Sequence, residues 1–459
     1  GDFSCFGNTH AQTPNIDRMA AEGIRFEQFY VNSPICSPSR TAISTGQYPQ
    51  RWKITSYLNN RKSNAERGMA QWLDPEAPML ARSLQKAGYS TGHFGKWHMG
   101  SHGDEPQPGF THWESFPGQG VYYNPTLNIN GKQVAYKDST YITDLLTEHA
   151  VDWMDKRDKN KPFFLYLSHK AVHAGFQPAR RHKGKYKGKR IALPATYDQT
   201  KTGKYRDLKW PQWVADQRIS WHGVDYMYHE NRGIYDMVVD YCETLLGVDE
   251  SVGAVMEYLK KEGLDESTMV IYMGDNGFSW GEHGLIDKRH FYEESVKVPL
   301  LVRCPELFEG GKTVQSMIQN IDIGPTVLAE AGIKQPDNMP GVSFVPILTG
   351  DANAKIRKEV FYEYYWEYDF PMTPTVFGMR TDKYKYMKFQ GIWDRNELYD
   401  LENDPDEMYN LIADPDKQDI AKEMSSAIYD WLEQTNGMNI PLKRTVKYRF
   451  GDFKHKGEY

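Results

Sequence analysis

The sequence predicts an α/β protein: a large, mostly parallel sheet flanked by helices, with a smaller C-terminal subdomain built on an antiparallel sheet. Three observations carry this. Apolar, β-rich runs alternate with helical periodicity through the first two thirds of the chain, as expected when crossover helices join parallel strands. From about residue 350 the pattern changes to short strand-like runs separated by turn residues. At 459 residues the chain also exceeds the length at which one hydrophobic core stops growing. A catalytic unit of residues 1–349 and a subdomain of 350–459 are expected.

Taken in order, Thr13-Pro14 reads as an N-cap followed by proline in a first helical turn. GIRFEQFYVN (23–32) reads as a strand, and Ser37-Pro38-Ser39-Arg40 as a helix start. APMLARSLQKAG (77–88) has amphipathic spacing and leads into the strand STGHFGKW (90–97). The helix YITDLLTEHAVDWMDKR (141–157) precedes the strand PFFLYLSH (162–169). A long helix over 235–263, a strand at 268–277, a strand at 298–305 and a helix at 321–332 follow. EVFYEYYW, VFGMRT, KYKYMKF and NELYDL supply the antiparallel strands, and a helix near 416–435 closes the series. Residues 174–229 lack periodicity and form an insertion too long for an ordinary connection.

Composition narrows the function. A net charge of −6 argues against nucleic acid as a partner, and no apolar run is long enough to span a bilayer. The four cysteines, Cys5, Cys36, Cys242 and Cys304, are far apart and form neither a disulfide framework nor a thiolate zinc motif.

Four clusters fall at carboxyl ends of expected strands, where open α/β sheets bind ligands. Cys36 opens a helix with Arg40 one turn on, so its thiol faces the positive end of the dipole. Gly95-Lys96-Trp97-His98 puts a cation and a proton carrier two residues apart. LSHKAVHA offers His169 and His173. Gly274-Asp275-Asn276-Gly277 offers two hard oxygens suited to calcium or magnesium, with Lys288 and Arg289 further on. Together they suit transfer of a tetrahedral oxyanion, sulfate or phosphate.

The stretch CSPSRTAISTG resembles the signature of the type I, formylglycine-dependent sulfatases, and GHFGKWHMG, GDNGFSWGEHGLIDKRHFYEES and ELYDLENDPDEMYNL match the same family in its usual order. The resemblance implies an alkaline phosphatase-like fold and a Cys36 oxidised to formylglycine by a maturase, its hydrate attacking sulfur. It implies that Arg40 holds the hydrate and the metal site. Lys96 and Lys288 would bind sulfate oxygens, His98 accept a proton from the hydrate and His173 protonate the leaving alcohol. Asp275 and Asn276 would bind Ca2+, with two further Asp ligands expected upstream of Gly1, since the family's Asp-Asp pair and first central strand precede the segment with which this chain begins. His169 has no implied role.

A phosphate or phosphonate hydrolase of the same superfamily is one alternative, and a catalytically silent sulfated-glycan-binding protein another. The expected substrate is a sulfated poly- or oligosaccharide, because the basic run ARRHKGKYKGKR (179–190), the tryptophans Trp210, Trp213 and Trp221, and YEYYWEYDF (362–370) suit an extended anionic sugar. Arg180, Arg181, Lys183 and Lys185 are its candidate contacts. Similarity to exported sulfatases implies a periplasmic, secreted or lipoprotein-anchored location.

Overall fold

The computed structural model describes residues 3–58, 68–100, 103–229, 232–350, 354–367 and 370–440. The opening Gly-Asp and the segment beyond 440 lie outside them, as does part of the 362–370 stretch. Each strand expected in the first two thirds is present, at Ile24–Phe26, Ser90–Lys96, Phe163–Ser168, Val270–Met273 and Leu300–Arg303. The helices Cys36–Thr45, Leu80–Lys86, Ile142–Lys156, Ile234–Lys261 and Ile323–Glu330 also stand where their spacing put them. Thr13 does precede the helix Pro14–Glu22, but its hydroxyl makes no capping bond.

The strands form two main sheets. One has the order Lys132–Ala135, Thr126–Ile129, His112–Phe116, Ser90–Lys96, Phe163–Ser168, and its last three strands are parallel. The other runs Lys312–Val314, Ile24–Phe26, Leu300–Arg303, Val270–Met273. In it Leu300–Arg303 is antiparallel to both neighbours, so the architecture is more mixed than the sequence pattern implied. Continuous apolar runs signal burial on both faces and carry no information on direction.

The edge strands Phe163–Ser168 and Val270–Met273 both border a cavity of about 820 Å³. Their carboxyl ends meet at Arg40, which bonds Ser168 and Asp275. At the other side of the first strand, Gly95 has φ +108, and a Cβ there would stand 2.0 Å from the Ser168 carbonyl oxygen, so only glycine lets these two strands approach at the site.

The C-terminal sheet is fully antiparallel, Glu359–Tyr364, Thr375–Thr381, Tyr384–Gln390 and Glu397–Asp400 in that order. The helix Gln418–Gln434 covers one face, Trp431 stacking on Phe361 with centroids 5.0 Å apart. The opposite face joins the main core: Tyr362 and Tyr399 belong to the same cluster as Ile24, Leu300 and Cys36. Buried charges add to this contact, Lys385 Nζ lying 2.6 Å from Glu293 and 2.9 Å from Glu407.

The insertion is ordered. It forms chained turns, then the short helix Gln212–Gln217, and Trp210 and Trp213 are buried in the main core, with Trp210 Nε1 donating to the Met408 carbonyl at 2.8 Å. Tyr362, Tyr364, Tyr365 and Trp366 are buried too. These aromatics weld the C-terminal sheet and the insertion to the core and do not form an open sugar platform. All four cysteines are free thiols.

Candidate active site

The helix Cys36–Thr45 is buried along its whole length, and four of its five hydroxyls find partners, within the helix or on segments packed against it. Thr41 Oγ1 donates to the Ser37 carbonyl at 2.9 Å, and Asn320 Nδ2 donates to Ser39 Oγ at 3.0 Å. Cys36 is its first residue, at the positive end of the helix dipole. Its Sγ stands where an oxygen of an oxidised side chain would be, 3.0 Å from His98 Nδ1 and 3.8 Å from Gln119 Nε2. Burial raises the thiol pKa, but His98, Lys96 and Lys288 outweigh it and hold Cys36 well below its usual value. The His98 imidazole is lowered by burial, which Cys36 opposes.

Lys96 and His98 converge on Cys36 by a different route from strand alternation. The strand ends at Lys96, and His98 takes a left-handed conformation, φ 54, that turns its ring back to the thiol. Lys96 Nζ donates to Gln119 Oε1 at 2.5 Å, and burial lowers its pKa to about 8.

Arg40 ties the site together. Its Nε and Nη2 reach Asp275 Oδ2 at 2.9 and 2.8 Å, while Nη1 donates to the Lys96 carbonyl at 2.7 Å and to Ser168 Oγ at 2.5 Å. Among the described residues none of its hydrogen bonds goes to Cys36. Burial would lift the Asp275 carboxyl, but Arg40, then Lys96 and Lys288, bring it down to about 2. Asp275 Oδ1 and Asn276 Oδ1 make no hydrogen bond among the described residues, while Asn276 Nδ2 donates to the Gly277 carbonyl at 2.9 Å. These two oxygens fit a hard cation, of which they would supply two among about six to eight ligands. No group of three or more His, Cys, Asp and Glu side chains among the described residues is arranged to hold a metal by itself.

His173 and Lys288 line the same cavity as Lys96, Arg40 and Asp275. His173 Nδ1 donates to the Ala174 carbonyl at 3.3 Å; burial, then Lys96, Lys288 and Lys170, keep the ring well below its usual pKa. Lys288 Nζ is 3.8 Å from Asp287, whose carboxylate also meets Arg289 Nη1 at 2.6 Å and His222 Nε2 at 3.3 Å. His169 lines the cavity too, with its Nε2 2.8 Å from Ser251 Oγ.

Two residues escaped sequence reasoning. Gln119 sits in a glycine-proline turn with no chemical signature. Lys170, between the two histidines, lies over the Tyr122 ring at 4.5 Å and is lowered to about 7 by burial and Lys96. Its place inside LSHKAVHA was the available signal. The site thus concentrates Lys96, Lys170, Lys288 and Arg40 near Asp275 and Asn276, which equips it for an oxyanion beside a cation.

Comparison with known proteins gives the same class. Residues 1–333 match the sulfatase family model, and residues 281–434 match the N-sulphoglucosamine sulphohydrolase C-terminal model. The chain is 32% identical over 514 residues to an N-acetylglucosamine-6-O-sulfatase of Bacteroides thetaiotaomicron, covering 97% of this chain and 86% of that one. It is 30% identical to the human N-acetylglucosamine-6-sulfatase over 75% of this chain and 62% of the other. A solved structure of a protein in complex with its substrate, D-glucosamine-2-N,6-O-disulfate, superposes with a TM-score of 0.78 at 30% identity, covering 96% of this chain and 97% of that one. This chain belongs to the sulfatase family and is a sulfuric ester hydrolase. A bound metal and a formylglycine are general features of that family. No described helix is long and apolar enough to cross a membrane.

Proposed function

We propose that the chain removes sulfate from a sulfated carbohydrate, with a glucosamine 6-O-sulfate unit as the first substrate to try. The observation that supports this is a helix-initiating Cys36 with His98 Nδ1 3.0 Å from its thiol and Lys96 and Lys288 lowering its pKa, together with a cavity lined by Lys96, Lys288 and His173; the named relatives supply the sugar. Cys36 is the residue we assign to formylglycine, formed by a maturase, which when present supplies a hydrated aldehyde as nucleophile.

The rest of the chemistry belongs to the surrounding side chains. Lys96 and Lys288 hold the sulfate oxygens and offset the charge that builds on them in the transition state. His98 Nδ1, 3.0 Å from the side-chain atom of residue 36, takes a proton from the group there, and the lowering of its pKa by burial favours the proton-free form this needs. His173 gives a proton to the leaving alcohol. Burial, then Lys96, Lys288 and Lys170, lower its ring pKa in the free site, and an arriving sulfate ester would offset the charges of those lysines. Asp275 and Asn276 would hold a calcium ion, which would add positive charge against the sulfate. Arg40 fixes Asp275 relative to Lys96. An exported location, periplasmic or secreted, rests on similarity to exported sulfatases.

A panel of defined sulfated sugars, assayed alongside mass spectrometry of the peptide containing residue 36, tests the reading. Expected is release of sulfate from a 6-O-sulfated glucosamine by molecules that carry formylglycine. Full turnover by protein whose Cys36 is wholly unmodified would sink the assignment.

A further inference from the structure

The insertion carries a feature that the sulfate pocket does not use. Residues 182–189 read His-Lys-Gly-Lys then Tyr-Lys-Gly-Lys, and they fold as three overlapping turns. Lys185 N donates to the His182 carbonyl at 3.1 Å, Lys187 N to Gly184 at 3.3 Å and Lys189 N to Tyr186 at 3.0 Å. Gly184 and Gly188 have φ +87 and +80, the positive value that a type II turn requires at its third residue. Each repeat therefore buries its aromatic first residue and exposes its two lysines.

The ribbon is held rigidly. The buried Glu243 carboxylate accepts the Gly184 and Tyr186 amide protons at 2.7 and 2.8 Å. Tyr186 Oη accepts from Gln12 N at 3.0 Å, and His182 is buried with Nε2 3.1 Å from Glu250. Arg181, expected from sequence to meet substrate, is instead an anchor, with bonds of 2.7 Å to each Asp144 oxygen and 2.8 Å to Glu250; Arg180 bonds Ser139. Among the described residues, Lys183, Lys185, Lys187 and Lys189 have no carboxylate partner. The acids nearby are already committed to the anchors.

The ribbon is also tied to the active site. Between His173 and Ala179 the chain is strapped by three tyrosines, whose hydroxyls donate to the carbonyls of His173 (Tyr122, 2.7 Å), Gln177 (Tyr141, 3.0 Å) and Pro178 (Tyr123, 2.7 Å). Lys183 lies ten positions after His173, which bounds the reach between them at about 35 Å. Lys189 and Lys185 lie over the Tyr186 ring at 4.7 and 6.0 Å, which leaves their charge uncompensated. Four ammonium groups without a carboxylate partner among the described residues, within that reach, suit a ligand with regularly repeated negative charge, one of whose sugars occupies the pocket.

We propose that Lys183, Lys185, Lys187 and Lys189 form a binding strip for the continuation of a polyanionic, sulfated saccharide chain beyond the sugar being desulfated. This rests on the sulfated-carbohydrate reading of the site. A chain long enough to reach the strip is held more tightly than a single sugar, and the gain appears as uniform binding.

The test replaces the four lysines together, K183Q, K185Q, K187Q and K189Q, with a four-arginine variant as the charge-conserving partner. KM and kcat are measured on a sulfated oligosaccharide and on its sulfated monosaccharide, and retention on an immobilised sulfated polysaccharide is measured as salt rises. The glutamine variant should raise KM for the oligosaccharide about tenfold at unchanged kcat, leave the monosaccharide as it was, and elute at lower salt; the arginine variant should restore both. Equal oligosaccharide KM for parent and glutamine variant overturns the proposal, as does a lysine-dependent binding to anionic phospholipid vesicles with no effect on KM. A parent enzyme inactive on every sulfate ester would refute the proposed activity, and the retention arm would still decide on the strip.

Discussion

Alkaline pH should weaken substrate capture before it touches the chemical step, because Lys96 is a buried ammonium with no carboxylate partner among the described residues. Burial is the main cause of its fall from the usual 10.5 to about 8; Arg40 and Lys288 push the same way, while Cys36 and Asp275 oppose them. A lysine is charged below its pKa, so the charge is lost as pH rises through about 8 instead of through 10.5. With that value, about nine tenths of the free enzyme carries the charge at pH 7 and about one tenth at pH 9, a tenfold loss in kcat/KM if only the ammonium form captures sulfate. Conversion of residue 36 to a neutral group removes one opposing charge, and a cation beside Asp275 cancels the other, so both shift the limb further down. The sulfate ester stabilises the ammonium once bound, so kcat should stay level over the same range. The assay is kcat and KM from pH 6.5 to about 9.5, repeated on Lys96→Arg, whose charge survives across the range and whose limb should vanish. A kcat/KM that is flat from pH 7 to 9.5, or a fall confined to kcat, would refute the argument.

Three further outcomes follow from the geometry. Arg40→Lys replaces a planar group that makes four bonds with a single ammonium and should cost activity and about 3–5 kcal/mol of stability, read as a lowered urea midpoint; a parental midpoint would show the network to be dispensable. Lys385→Met leaves Glu293 and Glu407 buried without their shared cation and should destabilise the fold by a similar amount, again about 3–5 kcal/mol. Calcium affinity measured by calorimetry should be lost in Asp275→Asn, which removes the charged one of the two candidate ligands; unchanged affinity in the variant would place the metal elsewhere.

Much of this was legible from local chemistry. Strand and helix positions follow from the period of apolar residues, which burial imposes on any chain, so Ser90–Lys96, Phe163–Ser168 and the helix Ile234–Lys261 stand where the spacing put them. Cys36 at a helix start and Asp275-Asn276 after a buried strand were equally plain, because turn and cap chemistry is set by near neighbours. Strand direction was not, and Leu300–Arg303 turned out antiparallel because that depends on how its connections cross in space. Pairing of charges was hidden for the same reason. Arg181 and Lys183 are two residues apart in one basic run, yet the first is neutralised by helices 37 and 69 positions away and the second is not. Burial decided the aromatics in the same way: Trp210, Trp213 and Tyr364 have the composition of a sugar platform and serve as core, since a side chain's solvent exposure depends on what distant segments pack over it. Gln119 became a neighbour of Lys96 and Cys36 only when the fold closed residues 23 and 83 positions apart around one point.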